Sequence, residues 1–217
     1  MIQIRFLPLK IESKTTRQTL QSDGFCVIIG QPFSKAGDSM HSYVIETERL
    51  ILRPLTTADA EAEFVWLSDP EVNRFMPYNL YTSVEQAVDW LRSVEECEDE
   101  YHFGFVRKAD GLLVGAGSIG PKDDRAYAMA DAWEFGYNLR RDCWNQGYAT
   151  EATRAMIDFA HQTFGVKDFY ANHAIENPAS GRVMEKVGCT FLHFSEYSTF
   201  DGTQTFPAKV WTLHLED

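Results

Sequence analysis

The decisive stretch of the sequence is Trp144-Asn145-Gln146-Gly147-Tyr148-Ala149-Thr150-Glu151-Ala152. It joins a predicted strand that ends near Leu139 to a predicted helix that begins near Ala149. Backbone N–H groups at the start of a helix lack intrahelical partners and lie at the positive end of its dipole, so they bind a pyrophosphate without any basic side chain. Gly147 permits close approach of the backbone, and Asn145 tolerates a positive φ better than most residues. The stretch therefore fits an anion-binding loop, and it fits an ordinary glycine-containing loop equally well.

The segments around this stretch predict an α/β fold with a mixed sheet. Alternating apolar residues mark a strand at 50–55, and a helix whose apolar surface includes Val65 follows it. Ser83 has the spacing of a capping box at a second helix, and Asp110-Gly111 is typical of a hairpin turn. The remaining predicted elements are strands at 101–107, 112–119 and 132–139, a helix at 149–164, a strand at 169–174, a helix at 180–187, and two strands around Asp201-Gly202. This order predicts a mostly antiparallel central sheet flanked by helices.

Length and composition limit the classes of protein. With 217 residues, 44% of them hydrophobic, the chain has enough apolar surface for one core of ordinary domain size. No run approaches the roughly 20 apolar residues of a membrane span, and the first residues lack a signal-peptide pattern, so we expect a cytoplasmic protein without a membrane partner. A formal net charge of −12 opposes nonspecific binding to nucleic acid. The four scattered cysteines indicate free thiols, not disulfides or a metal site.

Residues 1–42 differ from the rest of the chain. Their periodicity is weak and they end in a loop-like stretch at 31–39, so we predict a poorly defined N-terminal extension before a domain at 43–217. Within the extension, the segment 25–30 is apolar and β-branched enough for a short strand, and the sequence leaves its structure open.

A literal G-x-G-x-x-G motif, the fingerprint of dinucleotide binding, occurs at Gly115-Ala116-Gly117-Ser118-Ile119-Gly120. That motif must end a strand and open a helix. Here it lies within a predicted strand and runs into Pro121. We therefore interpret the small residues as a place where two backbones pack closely.

A second stretch, Asn177-Pro178-Ala179-Ser180-Gly181-Arg182-Val183-Met184-Glu185-Lys186-Val187-Gly188, follows about 30 residues after the first. Together with residues 47–55 (TERLILRPL) and 134–137 (EFGY), the two stretches resemble the GNAT superfamily of N-acetyltransferases, particularly the branch of RimJ and RimL type, which acetylates ribosomal-protein N-termini. The resemblance covers Tyr43 to the C-terminus. It implies the GNAT fold, acetyl-CoA as co-substrate and an amine as acceptor.

The resemblance also implies which residues hold the cofactor. The family's pyrophosphate loop corresponds to the segment 145–150, although Trp144 replaces the usual first residue. The pantetheine arm is expected to pair with the fourth strand of the family fold, and Asn177 with Ser180 corresponds to the element that contacts the arm. The implied cofactor residues are Phe135, Tyr137, Leu139, Asn145, Gln146, Gly147, Tyr148, Ala149, Thr150, Asn177 and Ser180.

Acetyl transfer needs a neutral amine, so an ammonium substrate requires a base. Glu134 is the first candidate, because the resemblance places it on the strand beside the thioester, and His173 is the second. A salt-bridged glutamate and a packed histidine are the structural alternatives. Many family members have a tyrosine as general acid where this chain has Met184, so Tyr148, Tyr137, Ser180 or water would have to protonate the thiolate.

The acceptor amine is less well defined. An α-amino group loses its proton more readily than lysine, which favours a protein N-terminus, and the acidic chain suits a basic protein. A small-molecule acetyltransferase for an antibiotic, amino acid or polyamine is the alternative, and a noncatalytic acyl-CoA sensor is another. We expect the substrate surface at 73–81 and 200–206, and either a monomer or a homodimer.

Overall fold

The computed structural model describes residues 43–121 and 131–216, together with the backbone of the short strand Val27–Ile29. The strands are β1 Val27–Ile29, β2 Val44–Glu46, β3 Leu50–Pro54, β4 Tyr101–Arg107, β5 Leu113–Pro121, β6 Trp133–Leu139, β7 Asp168–Ala174, β8 Thr190–Ser198 and β9 Thr205–His214. The helices are α1 Ala60–Leu67, α2 Pro70–Asn73, α3 Val84–Glu95, α4 Tyr148–Phe164 and α5 Pro178–Val187, with 3-10 turns at Thr57–Asp59 and Arg141–Cys143.

The described strands form one sheet in the order β1-β2-β3-β4-β5-β6-β7-β9-β8. Neighbouring strands are antiparallel except for β6 and β7. The predicted α/β fold with a mostly antiparallel sheet is therefore confirmed. Of the predicted extension at 1–42, only Val27–Ile29 belongs to the described residues, and it pairs with β2 at the sheet edge.

Helices cover both faces of the sheet. On one face, Met156 and Phe159 of α4 pack with Phe103 and Phe105 of β4 in the larger apolar cluster. On the other face, α1 and α3 bury a second cluster that includes Trp66 against β5. Burial of these side chains supplies the main favourable free energy of folding. Within the described ranges, the helices are all too short or too polar to cross a lipid bilayer.

Helix α1 departs from its predicted apolar face. Its buried residues are Ala60, Glu63, Trp66 and Leu67, whereas Val65 is 48% exposed. Residues three and four apart share one face of a helix, so the register that buries Trp66 also buries Glu63 and turns Val65 outward. The prediction for Val65 is wrong, and a carboxylate lies on the buried face instead.

Strands β6 and β7 separate after a short parallel pairing, which joins Trp133 to Phe169 and Glu134 to Tyr170. Beyond it, β6 continues to Leu139 while it stays paired with β5, and β7 continues beside β9. The edge of β6 that faces β7 therefore has backbone groups without a strand partner, next to the loop that leads into α4. An extended ligand can add to such an edge as an extra strand.

The glycine-rich run at 115–120 lies in β5 opposite β6. A Cβ atom on Gly117 would lie 2.6 Å from the Phe105 ring and 2.7 Å from the Gly136 carbonyl oxygen. A Cβ on Gly115 would overlap the carbonyl oxygen of Asn138. Close packing of the two strands therefore requires glycine here. The run packs strands, as predicted, and does not open a helix for a dinucleotide.

We expect a protein lacking residues 1–39 to unfold cooperatively and to keep the acetyl transfer that the resemblance implies. The deletion removes only the edge strand β1 from the described sheet and leaves β2 and Tyr43 in place. Thermal melting and turnover check this prediction. Loss of cooperative unfolding would show that the first 39 residues belong to the core.

Candidate active site

The loop between β6 and α4 reaches the helix through two residues with left-handed backbone. Asn145 has a φ of 59° and Gly147 has a φ of 83°. Trp144 Nε1 donates a hydrogen bond to the carbonyl oxygen of Leu139 at 2.9 Å, which fixes the loop to the end of β6. No side chain caps α4 at its N-cap residue, Gly147. The first N–H groups of the helix are therefore available to a ligand, as the sequence indicated.

A carboxylate in the first turn of α4 ties this loop to β3. Glu151 accepts hydrogen bonds from Thr47 Oγ1 at 2.6 Å, from the backbone N–H of Arg49 at 2.8 Å and from Arg49 Nε at 2.7 Å. The Arg49 guanidinium also donates to the carbonyl oxygen of Gln146 at 2.8 Å. The segment 47–55 and the segment 144–152 are thus one structural unit, in which Arg49 and Glu151 hold the loop at a fixed distance from the sheet.

A cavity of about 490 Å³ lies in front of the start of α4, and we call it the cofactor cavity. Its lining includes most of the residues that the resemblance assigned to the cofactor, namely Tyr137, Leu139, Asn145, Gly147, Tyr148, Ala149, Thr150, Asn177 and Ser180. The side chains of the other two lie elsewhere. Phe135 is buried in the larger apolar cluster, and Gln146 Nε2 donates to the Asp142 carbonyl oxygen at 3.0 Å.

Three basic residues that the sequence analysis missed also line the cofactor cavity: Arg74, Arg182 and Lys186. Arg182 and Lys186 are four residues apart on α5 and therefore lie on one face of that helix. That spacing is visible in the sequence. Cations beside an uncapped helix start fit a ligand with several phosphate groups, which is the charge distribution of coenzyme A.

Side chains of β6 and α5 meet across the gap between β6 and β7. The Tyr137 hydroxyl lies 2.9 Å from Ser180 Oγ and donates to the Ser180 carbonyl oxygen at 3.0 Å. The Asn177 side chain caps α5 by accepting from the Ser180 backbone N–H at 3.3 Å. Burial raises the pKa of the Tyr137 hydroxyl, so it stays protonated. The sequence-predicted Tyr137, Asn177 and Ser180 are therefore brought together.

The two candidate bases are placed differently. Glu134 lies at the paired end of β6, on the same face of the strand as Gly136 and Asn138. His173 is 6% exposed, and a Cβ on Gly181 would lie 2.7 Å from its Nε2 atom, so the ring packs beneath α5. Burial lowers the pKa of His173. Neither residue is among the described residues that line the cofactor cavity.

Tyr148 and Met184, the two other positions considered for the general acid, contact side chains that stabilise the fold. The Arg49 guanidinium lies 4.7 Å from the centre of the Tyr148 ring, and that of Arg107 lies 6.0 Å away, which places the ring on the β3–β4 side of the helix start. Met184 is buried in the larger apolar cluster. Of the hydroxyl groups that the sequence proposed as general acids, those of Tyr137 and Ser180 lie at the gap between β6 and β7.

A second cavity of about 650 Å³ opens on the α1–α3 side of the sheet, and we call it the acceptor cavity. It shares Met76, Tyr137 and Asn138 with the cofactor cavity, so the two meet at β6. Among the described residues, no lysine or arginine lines it. Its lining includes five large aromatic residues and three carboxylates: Tyr78, Tyr81, Trp90, Tyr137, Phe200, Glu63, Asp89 and Glu100.

Two segments that were predicted to form the substrate surface meet beside the acceptor cavity. The backbone N–H of Phe200 donates to the carbonyl oxygen of Pro77 at 2.7 Å. Asn79 Nδ2 donates to the Asp201 carboxylate at 2.9 Å. The segments 73–81 and 200–206 are therefore joined, although more than 100 positions separate them in the sequence.

Glu63 is a buried carboxylate in the wall of the acceptor cavity. It is 2% exposed, and its Oε2 atom is buried without a hydrogen-bond partner among the described residues. Burial, with a smaller contribution from the Asp59 charge, raises the pKa of Glu63 to about 8. The helical register that buries Trp66 places Glu63 there, and no catalytic motif of the sequence pointed to it.

We expect Glu63→Gln to be more stable than the unchanged protein at pH 8, and by a smaller margin at pH 5. The folded state keeps the Glu63 proton up to about pH 8, whereas an exposed carboxyl releases it near 4.5. Rising pH between these values therefore destabilises the unchanged protein, by at most about 1.4 kcal/mol per pH unit. Urea unfolding across this range checks it, with Glu61→Gln, an exposed position on the same helix, as control. A margin independent of pH would contradict the raised pKa.

Comparisons with known proteins identify the family of this chain. The family model of the acetyltransferase (GNAT) domain matches residues 49–190. Uncharacterized N-acetyltransferase YoaA of Bacillus subtilis (strain 168) is 29% identical over 151 residues, which are 67% of this chain and 81% of that protein.

Two solved structures show the same fold. An acetyltransferase of the GNAT family from Bacillus anthracis has a TM-score of 0.69 at 22% identity, covering 79% of this chain and 98% of that one. Spermidine N-acetyltransferase from Vibrio cholerae, in complex with CoA and spermine, has a TM-score of 0.64 at 16% identity, covering 76% of this chain and 95% of that one. The chain belongs to the acetyltransferase (GNAT) family and is an acetyl-CoA-dependent N-acetyltransferase.

Proposed function

We propose that the acceptor is a primary amine that enters the acceptor cavity as an ammonium ion and receives the acetyl group where the two cavities meet. The observation that carries this proposal is their opposite charge. The cofactor cavity has three cations in its lining, Arg74, Arg182 and Lys186, against one carboxylate, Glu71, whereas the charged residues of the acceptor cavity are mainly carboxylates. An anionic donor and a cationic acceptor are thereby directed to opposite sides of Tyr137 and Asn138.

For the donor, we propose that the N–H groups of residues 147–150 bind the pyrophosphate. The free edge of β6 then accepts the pantetheine arm as an extra strand, with Asn177 and Ser180 on the opposite side of the gap. A backbone N–H near Tyr137 would bind the developing negative charge on the acetyl oxygen. Lys186 and Arg182 supply positive charge for the remaining phosphate.

For proton transfer, we propose Glu134 as the base, acting through water because it does not line the acceptor cavity. Its position on the same face of β6 as Gly136 and Asn138 supports this assignment. His173 is the second candidate, and its packing beneath α5 disfavours it. The paired hydroxyl groups of Tyr137 and Ser180 are the proposed donors of a proton to the departing thiolate.

For the acceptor, we propose an N-terminal α-amine of a basic protein and a place in the RimJ and RimL branch. The form W-N-Q-G-Y-A-T-E-A at 144–152 and the lower pKa of α-amines support this. A small cationic amine is the second candidate. The size of the acceptor cavity, about 650 Å³, supports it, because small-molecule sites have this order of volume.

Thiol release from acetyl-CoA with an amine panel tests the proposal. The panel contains peptides with free α-amines, the same peptides with blocked N-termini, aliphatic amines and neutral alcohols of equal length. We expect release with free amines and none with blocked peptides or alcohols. Release that does not depend on a free amine would overturn the proposal.

A further inference from the structure

The acceptor cavity contains one carboxylate that the proposed reaction does not use. Glu63 makes no hydrogen bond or ion pair with any described residue, although it is buried in the cavity wall. An unpaired buried carboxylate costs free energy, and natural proteins retain such groups chiefly at sites that bind or react.

The charged and titratable groups that face Glu63 cannot neutralise it. Asp59 lies nearby, but it accepts two hydrogen bonds from the Arg53 guanidinium, at 2.8 and 2.6 Å, so this cation is already paired. Tyr78 and Tyr81 interact electrostatically with Glu63, and both have pKa values that burial raises, so they stay neutral. The remaining charged lining groups of the cavity, Asp89 and Glu100, are themselves acidic. His102 also lines the cavity, and its Nε2 atom lies 3.4 Å from the Glu100 carboxylate.

Tyr78 connects Glu63 to Asn138 on β6. Its hydroxyl accepts a hydrogen bond from Asn138 Nδ2 at 3.1 Å, and Asn138 lies on β6 where the cavities meet. Glu63 approaches the same tyrosine from α1. Tyr78 therefore interacts both with Glu63 and with the residue at which we propose that the acetyl group is transferred.

We propose that Glu63 forms a cation subsite. The subsite binds a second positively charged group of the acceptor while the reacting amine of the same acceptor lies at Asn138. This inference rests on the proposed function, because it assumes that the acceptor enters this cavity. The ligand chemistry is a primary amine joined by a short chain to an ammonium group. A small diamine and a peptide with a lysine beside its N-terminus both provide it.

The walls around Glu63 fit an alkylammonium ion. The aromatic rings of Tyr78, Tyr81 and Trp90 in the lining favour a cation with an apolar stem, since aromatic rings attract cations and methylene groups pack against them. Because Glu63 holds its proton below about pH 8, binding of a cation there at neutral pH displaces that proton to solvent. Cation binding at Glu63 is therefore coupled to proton release.

Steady-state kinetics with matched acceptors test the subsite. The probes are 1,4-diaminobutane against n-butylamine, and the peptide amide Ala-Lys-Ala against Ala-Ala-Ala. We expect Glu63→Gln to raise KM for the doubly charged probes by about 10- to 100-fold, the usual effect of losing a charged hydrogen bond, while KM for the singly charged probes and kcat change little. Preference for the diamine or for the lysine peptide in the unchanged protein identifies the source of the second charge.

The control is Glu61→Gln, which makes the same chemical change on the exposed face of α1 and should leave every KM unchanged. Equal effects of Glu63→Gln on singly and doubly charged probes would overturn the inference. A loss in kcat with alkaline rescue would also overturn it, because it would make Glu63 the base.

Calorimetry provides a readout that does not depend on turnover. With CoA present, 1,4-diaminobutane should bind the unchanged protein with release of about one proton at pH 7, seen as a dependence of the heat on the buffer, and Glu63→Gln should abolish that release. Binding without proton release would overturn the subsite. Proton-linked binding without any acetylation would instead overturn the proposed function and leave the subsite intact.

Discussion

Gly147→Asp is expected to abolish acetyl-CoA binding in calorimetry. Gly147 has a φ of 83°, which a residue with a side chain adopts only under strain, and an added Cβ would lie 3.2 Å from an Arg49 guanidinium nitrogen. The new carboxylate would also place a negative charge at the helix start where we propose the pyrophosphate binds. Backbone strain and charge repulsion therefore both disfavour binding of acetyl-CoA at this loop.

Gly165→Asp is the matched control. It adds the same charge at the other end of α4, where Gly165 has a φ of 71° and an added Cβ would meet no atom within 4 Å. We expect it to cost about 1 kcal/mol of stability and to leave the CoA affinity intact. Unchanged affinity in Gly147→Asp would overturn the assignment of the pyrophosphate to this loop.

Glu134→Gln is expected to keep its acetyl-CoA affinity and to lose kcat by roughly 10²- to 10⁴-fold, the usual contribution of general-base catalysis. Glutamine preserves the shape of the side chain and cannot take a proton. The loss should shrink as the pH rises toward the pKa of the acceptor amine, because more of the substrate then arrives neutral. A pH series of kcat measures this rescue.

His173→Asn separates the two candidate bases. Asparagine retains a polar side chain near the Ala174 carbonyl oxygen, which His173 Nδ1 contacts at 2.7 Å. We expect this variant to show no alkaline rescue. If Glu134→Gln turns over normally and His173→Asn is slow with that rescue, the base is His173.

The conformation of the loop at 144–152 was predictable from the sequence because the signals there are local. A strand end, an asparagine that tolerates positive φ, a glycine and a helix start follow one another within ten residues, and the structure contains each of them. The hairpin at Asp110-Gly111 and the packing role of the glycine-rich run were predictable for the same reason.

The acceptor cavity was not predictable in the same way. Helical register buries Glu63, and Asp59 already binds the nearby cation Arg53. Tyr78 approaches Glu63 from a separate segment. The approach of Tyr78 is not local in the sequence, and a glutamate two positions from exposed Glu61 has the pattern of an ordinary surface residue. The pattern of apolar residues also predicted Val65 on the buried face of α1. That prediction is wrong because the burial of Trp66 decides which face of α1 packs against the sheet.

Some sequence predictions stay predictions. Three of them are the cytoplasmic location, the choice between monomer and homodimer, and the domain boundary at residue 43. The substrate branch depends on the acceptor cavity, whose chemistry we propose from its charge.

Transfer of the acetyl group from acetyl-CoA to an amine fixes the balance between the two products of a single reaction. Acetyl-CoA and the best amine of the panel are incubated with the protein, and free CoA thiol and N-acetylated amine are quantified together. We expect equal amounts of the two products, and neither product with Gly147→Asp. Thiol release without N-acetylated amine, or acetylation that persists in Gly147→Asp, would contradict this expectation.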